Sequence, residues 1–266
     1  MNKRLVMIFL VLIVSLSLLT ACQKTVSEAN TMEPIIETEP VEEQVTVEKT
    51  DLSKSSIMLK AEDGVDIAAT YYKPLEEEPP GVILLHMLDK DRFTWDVFAK
   101  RLQEEGYAVL AIDLRGHGES INQGRWQDFN EMDFNSMVND ARAAKTYIEQ
   151  TLEPRRYIMI GASIGANVAL NYAAADNDIN AVILLSPGET YRGVNVLGAI
   201  NMYGDRPLLI AASKEDDYSY KSSSKLHDLA GKSTFRKYED AGHGTDMLNA
   251  PIGLDSLIVS WLDENI

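Results

Sequence analysis

Five short apolar runs set the strongest constraint on what this chain can fold into: Gly81 to Leu85, Tyr107 to Ile112, Tyr157 to Ile160, Ala181 to Leu185 and Pro207 to Ala211. Each is too short for a helix and lacks polar alternation, so each suits a strand buried on both faces. Segments with helical spacing lie between and after them, at Phe93 to Glu105, Asp133 to Gln150, Ile164 to Ala174, Tyr218 to Leu229 and Ile252 to Asp263. Strand and helix in alternation predict an α/β fold, with a mostly parallel central sheet and helices on both faces. Ahead of it, Ser56 to Ala61 and Val65 to Tyr72 alternate around Glu62-Asp63-Gly64, which predicts an antiparallel hairpin. Ligands of such sheets bind beyond the carboxyl ends of the strands, so the loops after the five runs are where chemistry is expected.

The 266 residues carry a formal charge of -16, a field that repels nucleic acid and excludes it as a partner. The single cysteine, Cys22, excludes an intramolecular disulfide and a Cys-rich metal site. His86, His117 and the scattered carboxylates lack zinc-ligand spacing, so no metal site is expected. The start of the chain reads differently from the rest. Met1 to Arg4 hold two positive charges, Leu5 to Leu19 are almost wholly apolar, and Leu19-Thr20-Ala21-Cys22 follows, the layout of a secretory signal peptide. An uncleaved anchor is the other reading of the apolar stretch, and both readings place the rest outside the cytoplasm. Leu19-Thr20-Ala21-Cys22 resembles the lipobox of bacterial lipoproteins. That resemblance implies a diacylglyceryl group on the Cys22 sulfur, cleavage before Cys22 and acylation of the new amino terminus. Residues 1–21 are then the signal peptide and 22–55 a lipidated cysteine with a flexible tether, rich in Glu and free of Gly and aromatic residues. Residues 56–266 are expected to form one domain, held to the cell membrane on its extracytoplasmic side.

After the run at Tyr157 comes Gly161-Ala162-Ser163-Ile164-Gly165 and then a helical segment. A G-x-S-x-G between strand and helix places a nucleophilic serine on a strained turn that small neighbours let the backbone make. A serine hydroxyl needs a base, and the base needs an acid to hold its tautomer. In folds with this turn the order is serine, acid, histidine, which removes His86 and His117. His227 sits on a polar helical segment, whereas His243, in Ala241-Gly242-His243-Gly244, lies on a glycine-flanked loop before the last helix; His243 is the expected base. Asp216 is the expected acid, with Glu215 and Asp217 beside it as alternatives. The backbone N–H groups of Ile164 and Met87 are the expected donors to the oxyanion, the first at a helix start and the second in the loop after the first run. His86 is expected to be structural.

Together these blocks resemble the α/β-hydrolase superfamily, nearest its small esterase and dienelactone-hydrolase-like branches. The residues that carry the resemblance are Leu84 to Met87, Asp113 to Ser120, Gly161 to Gly165 and Ala241 to Gly244. It implies a Ser163, Asp216, His243 triad, hydrolysis through an acyl-enzyme, and no cofactor. Many members have Gly where Met87 stands, so this side chain must point away or narrow the pocket. Only about twenty residues, Ser186 to Arg206, separate the last two runs, room for one short helix and no large lid domain. Trp126 and Phe129, in the loop after the second run, are either pocket wall or core. The function expected is a serine carboxylesterase acting on small or medium acyl esters. The alternatives are a thioesterase, peptidase or deacetylase of the same fold, or a non-catalytic binding lipoprotein on the same scaffold.

Overall fold

An antiparallel pair, β1 (Lys54–Lys60) and β2 (Asp66–Tyr72), leads the chain into its sheet. Six further strands follow: β3 (Gly81–Leu85), β4 (Ala108–Ile112), β5 (Tyr157–Ala162), β6 (Ile179–Leu185), and, after a small hairpin of β7 (Thr190–Tyr191) and β8 (Val194–Asn195), β9 (Leu208–Ser213) and β10 (Thr234–Tyr238). The order across the sheet is β1-β2-β4-β3-β5-β6-β9-β10, and only β2 runs against its neighbours. This computed structural model describes residues 53–74, 76–154 and 156–266. The expected signal peptide, the lipidation of Cys22 and nearly all of the tether lie outside the described residues. Ser55 and Lys54, assigned to the tether by sequence, are the first residues of β1.

The unbroken apolar runs form strands because both faces of the sheet are covered. Ile83 and Leu85 face one core and Val82 and Leu84 the other, all fully buried. Each such side chain contributes about 2 kcal/mol by leaving water. The first core is closed by α3 (Val138–Leu152), α4 (Ile164–Ala175), α5 (Leu197–Tyr203) and α6 (Asp217–Leu229), and the second by α1 (Asp96–Glu104) and α7 (Leu254–Asn265). The chain turns from β3 outward to β4, then returns past β3 to β5, so the crevice expected for a ligand opens between the ends of β3 and β5.

Two expectations need correction. The helix expected from Asp133 to Gln150 is two helices, α2 (Glu131–Asn135) and α3. Asn130 and Asp133 cap the first reciprocally, and Ser136 closes it by donating its hydroxyl to the Met132 carbonyl at 2.9 Å. The edge strand β10 was not expected, because Thr234 to Tyr238 has only one side to bury and carries Arg236 and Lys237 on its exposed positions.

Two buried arginines fix the loops beyond the sheet. Asp113, at the end of β4, accepts the backbone N–H of Arg92 at 2.7 Å and of Glu119 at 2.8 Å and pairs with the Arg92 guanidinium, whose Nε donates to Thr70 at 3.1 Å. Arg115 donates its N–H, Nε and Nη2 to Asp140 and reaches Asp63 at 2.7 Å. Burial pushes both carboxyls up, Asp140 to about 6, against the pull of their arginines. Removing Asp113 strips the buried Arg92 guanidinium of its buried carboxylate and leaves it only the exposed Glu119, at 2.8 Å. Asp113→Ala should therefore lower unfolding free energy by about 3–5 kcal/mol, read as a reduced urea midpoint.

Candidate active site

Ser163 sits between β5 and α4 with φ 53° and ψ -119°, a conformation that a non-glycine residue holds only where its surroundings enforce it. Here its N–H donates to the Leu185 carbonyl at 2.8 Å while its own carbonyl takes the N–H groups of Ala166 and Asn167. The glycines on either side are needed for contact rather than for flexibility. A Cβ on Gly161 would stand 2.3 Å from the Gly165 carbonyl oxygen, and one on Gly165 would stand 2.4 Å from that of Leu85 and 2.5 Å from that of His86. The start of α4 is thus pressed against the end of β3. Met87, in the β3 loop, and Ile164, first residue of α4, then line one pocket of about 310 Å³ together with Ser163, Tyr191, Arg192 and His243. Among the described residues neither the N–H of Met87 nor that of Ile164 meets a protein acceptor. A larger hollow of about 620 Å³ lies between Lys54, Tyr72 and Asp96, where the Tyr72 hydroxyl and the Lys54 ammonium both bond the Asp96 carboxylate.

His243 Nδ1 lies 2.5 Å from Asp216 Oδ2, a contact in which Nδ1 donates to the carboxylate. The neighbouring acids are otherwise engaged. Asp217 is exposed and pairs with Lys221 at 2.7 Å, and Glu215 accepts the N–H of Gly242. The loop carrying His243 is tied at three points, because Ala241 N–H donates to Ser213 Oγ at 3.0 Å, Gly242 to Glu215, and Gly244 to Ser186 Oγ at 2.9 Å. Met87 turns its side chain to that loop rather than into the space before Ser163: its sulfur accepts from the Thr245 hydroxyl at 3.6 Å and fills the place a Cβ on Gly244 would need.

The other histidines do other work. His227 bonds Ser233 at 2.6 Å on the far end of α6. His117 is buried, stacks on Trp126 and packs edge-on to His86. His86 accepts the Leu114 N–H on Nε2 at 3.0 Å and donates from Nδ1 to the Met87 carbonyl at 2.8 Å, so it braces the loop that presents Met87. Trp126 and Phe129 pack on the core, and neither lines the Ser163 pocket.

Several neighbours of the site carry no sequence signal. The Tyr191 hydroxyl interacts with Ser163, lies 2.7 Å from Ser219 Oγ, and donates to the Ser186 carbonyl at 3.3 Å; burial pushes its pKa up to about 12. Ser219 in turn lies 3.4 Å from His243 Nδ1, and its N–H donates to Asp216. Asn167 on α4 donates to Val194 at 2.8 Å and accepts from Gly188 at 3.2 Å, which pins the β7–β8 hairpin beside Ser163. These contacts join segments distant in sequence, and only the composition of the turn around Ser163 announces any of them.

Burial, followed by the neighbouring His117, holds the His86 pKa down to about 3 from its ordinary 6.5. In the unfolded chain His86 takes its proton near 6.5, so between 6.5 and about 3 unfolding draws in a proton and acid destabilises the fold. Full stability from this group is present above 6.5 and is lost as pH falls. His86→Gln should remove that loss: the stability gap between wild type and variant should shrink by roughly 1 kcal/mol per pH unit below 6.5 in urea titrations, and a constant gap would refute it.

Residues 81–194 match the family described as Hydrolase_4, serine aminopeptidase, S33. The chain is 34% identical over 127 residues to the quorum-quenching protein AidA of Acinetobacter baumannii (strain MDR-ZJ06), a match covering 46% of this chain and 40% of that protein. The chain thus spans less than half the length of that relative. Among solved structures, an esterase of Pyrococcus furiosus superposes with a TM-score of 0.64 at 19% identity, covering 80% of this chain and 91% of the other. The dienelactone hydrolase of Anabaena variabilis ATCC 29413 superposes with a TM-score of 0.68 at 17% identity, covering 80% and 98%. The fold is that of the α/β hydrolases, with a mostly parallel central sheet flanked by helices.

Proposed function

We propose that this α/β-hydrolase chain is a serine hydrolase, a carboxylesterase on small or medium acyl esters, lipid-anchored at Cys22 on the outer side of the cell membrane. The observation that carries the catalytic reading is the 2.5 Å contact of His243 Nδ1 with Asp216 Oδ2, with His243 in the wall of the pocket that Ser163 lines. In this reading Asp216 holds the imidazole so that Nε2 takes the Ser163 proton as Oγ attacks the ester carbonyl. The oxyanion that forms is met by the N–H groups of Met87 and Ile164, the latter at the positive end of α4. His243 returns the proton to the leaving alcohol, an acyl-Ser163 ester remains, and water activated by the same imidazole releases the acid.

The family description favours peptide-bond hydrolysis as a second reading, since the same three residues would serve. An aminopeptidase must hold a substrate ammonium. Among the described residues, the side chains lining the pocket include Arg192 and no carboxylate, which supports an ester substrate instead.

Wild type should take a fluorophosphonate label and hydrolyse p-nitrophenyl esters. Ser163→Ala should lose both, with kcat down by roughly 10³-fold or more, and Asp216→Asn should drop by a similar factor with its fold intact. Labelling that survives Ser163→Ala refutes the assignment. The anchor has its own readout: Cys22→Ser should move the protein from the membrane fraction to the soluble one, and full retention in the membrane counts against lipidation.

A further inference from the structure

Among the described residues, the pocket beside Ser163 holds one permanent cation. Met87, Leu88, Ile164, Thr190 and Tyr191 contribute no charge to its lining, His243 is the base, and the remaining side chain is that of Arg192, which is exposed. Among the described residues no carboxylate pairs with it, in a chain where acids outnumber bases 41 to 25. Nearby groups had the chance. Glu189 is taken by Lys225 at 2.6 Å, and Glu131, whose side chain packs on Gly193, makes no ion pair with Arg192.

The arginine is nonetheless held in place. Its guanidinium lies 5.8 Å from the ring centre of Trp126 and 6.0 Å from that of Phe134. Its backbone forms the tip of the β7–β8 hairpin with φ 50°, followed by Gly193 at φ 86°. A two-residue turn with both centres left-handed prefers Asn or Gly in the first place, and an arginine there is strained. Asn167 and Asn171 fasten the same hairpin to α4 through the carbonyls of Val194 and Asn195. A strained residue that leaves its charge unpaired beside a nucleophile fits a role in recognition better than one in folding.

We propose that Arg192 selects substrates that carry a carboxylate on the part lying against the β7–β8 hairpin, a specificity that rests on the hydrolase reading above. The guanidinium fork matches a carboxylate through two parallel N–H bonds. A phosphate offers the same oxygen geometry but generally gathers several donors, and this pocket presents a single cation.

The test compares p-nitrophenyl hemiglutarate with p-nitrophenyl valerate, an anionic and a neutral ester of similar length. Arg192→Gln should lower kcat/KM for the hemiglutarate by about ten- to hundredfold, mainly through KM, and leave the valerate within about twofold. Arg192→Lys should restore part of the loss. Arg192→Asn suits the turn and should raise Tm while showing the same loss as Gln, which separates recognition from folding. Equal effects on both esters, or none, overturn the proposal. Glutarate should compete with valerate hydrolysis in wild type and not in Arg192→Gln; stronger competition by inorganic phosphate overturns the choice of carboxylate. Should folded wild type cleave neither ester, the hydrolase reading fails, and calorimetry still decides this one. Ser163→Ala protein should bind monomethyl glutarate more tightly than dimethyl glutarate, and adding Arg192→Gln should erase the difference; equal binding of the two overturns it.

Discussion

The site depends on one close approach, that of the first turn of α4 to the end of β3. Because Gly165 has no side chain, its Cα passes over the Leu85 and His86 carbonyls at a distance that even a methyl group would forbid. That contact brings Met87 and Ile164 to the same pocket wall and drives Ser163 into its left-handed turn. The cost of the turn is covered by three backbone hydrogen bonds and by the apolar surface that α4 buries on both sides. Geometry of the pocket and stability of the sheet are therefore the same feature seen twice.

The loops on either side are fixed by a different force. Asp113 and Asp140 are fully buried carboxylates whose desolvation is offset by arginines and backbone N–H groups. Their partners reach the loop after β3 at Arg92 and the opening hairpin at Asp63, so the charged groups act as cross-braces between these loops. His86 adds a third brace, bonded to Leu114 on one side and Met87 on the other.

Much of this was legible before any coordinates, and for physical reasons. Strands buried on both faces need unbroken apolar runs, so β3 to β6 and β9 stood out within two residues of their true ends, and a serine on a strained turn needs small neighbours. What stayed hidden depended on side-chain direction or on one-sided burial. Glu215, Asp216 and Asp217 are equivalent as letters; only the turn into α6 decides that Asp216 faces the imidazole while its neighbours face a backbone N–H and a lysine. Tyr191 and Ser219 meet near His243 because a hairpin and a helix cross there, and no spacing encodes a crossing. Trp126 turned out to pack on the core and to touch the site only through the guanidinium above it.

The β7–β8 hairpin is two residues per strand, fastened to the helix that begins beside Ser163. On the reading proposed above, a wall tied so directly to Ser163 would move only together with α4. Turnover in the proposed hydrolase would then be set by bond making and by diffusion through a standing doorway, and solvent viscosity would slow it only when the chemistry itself is fast.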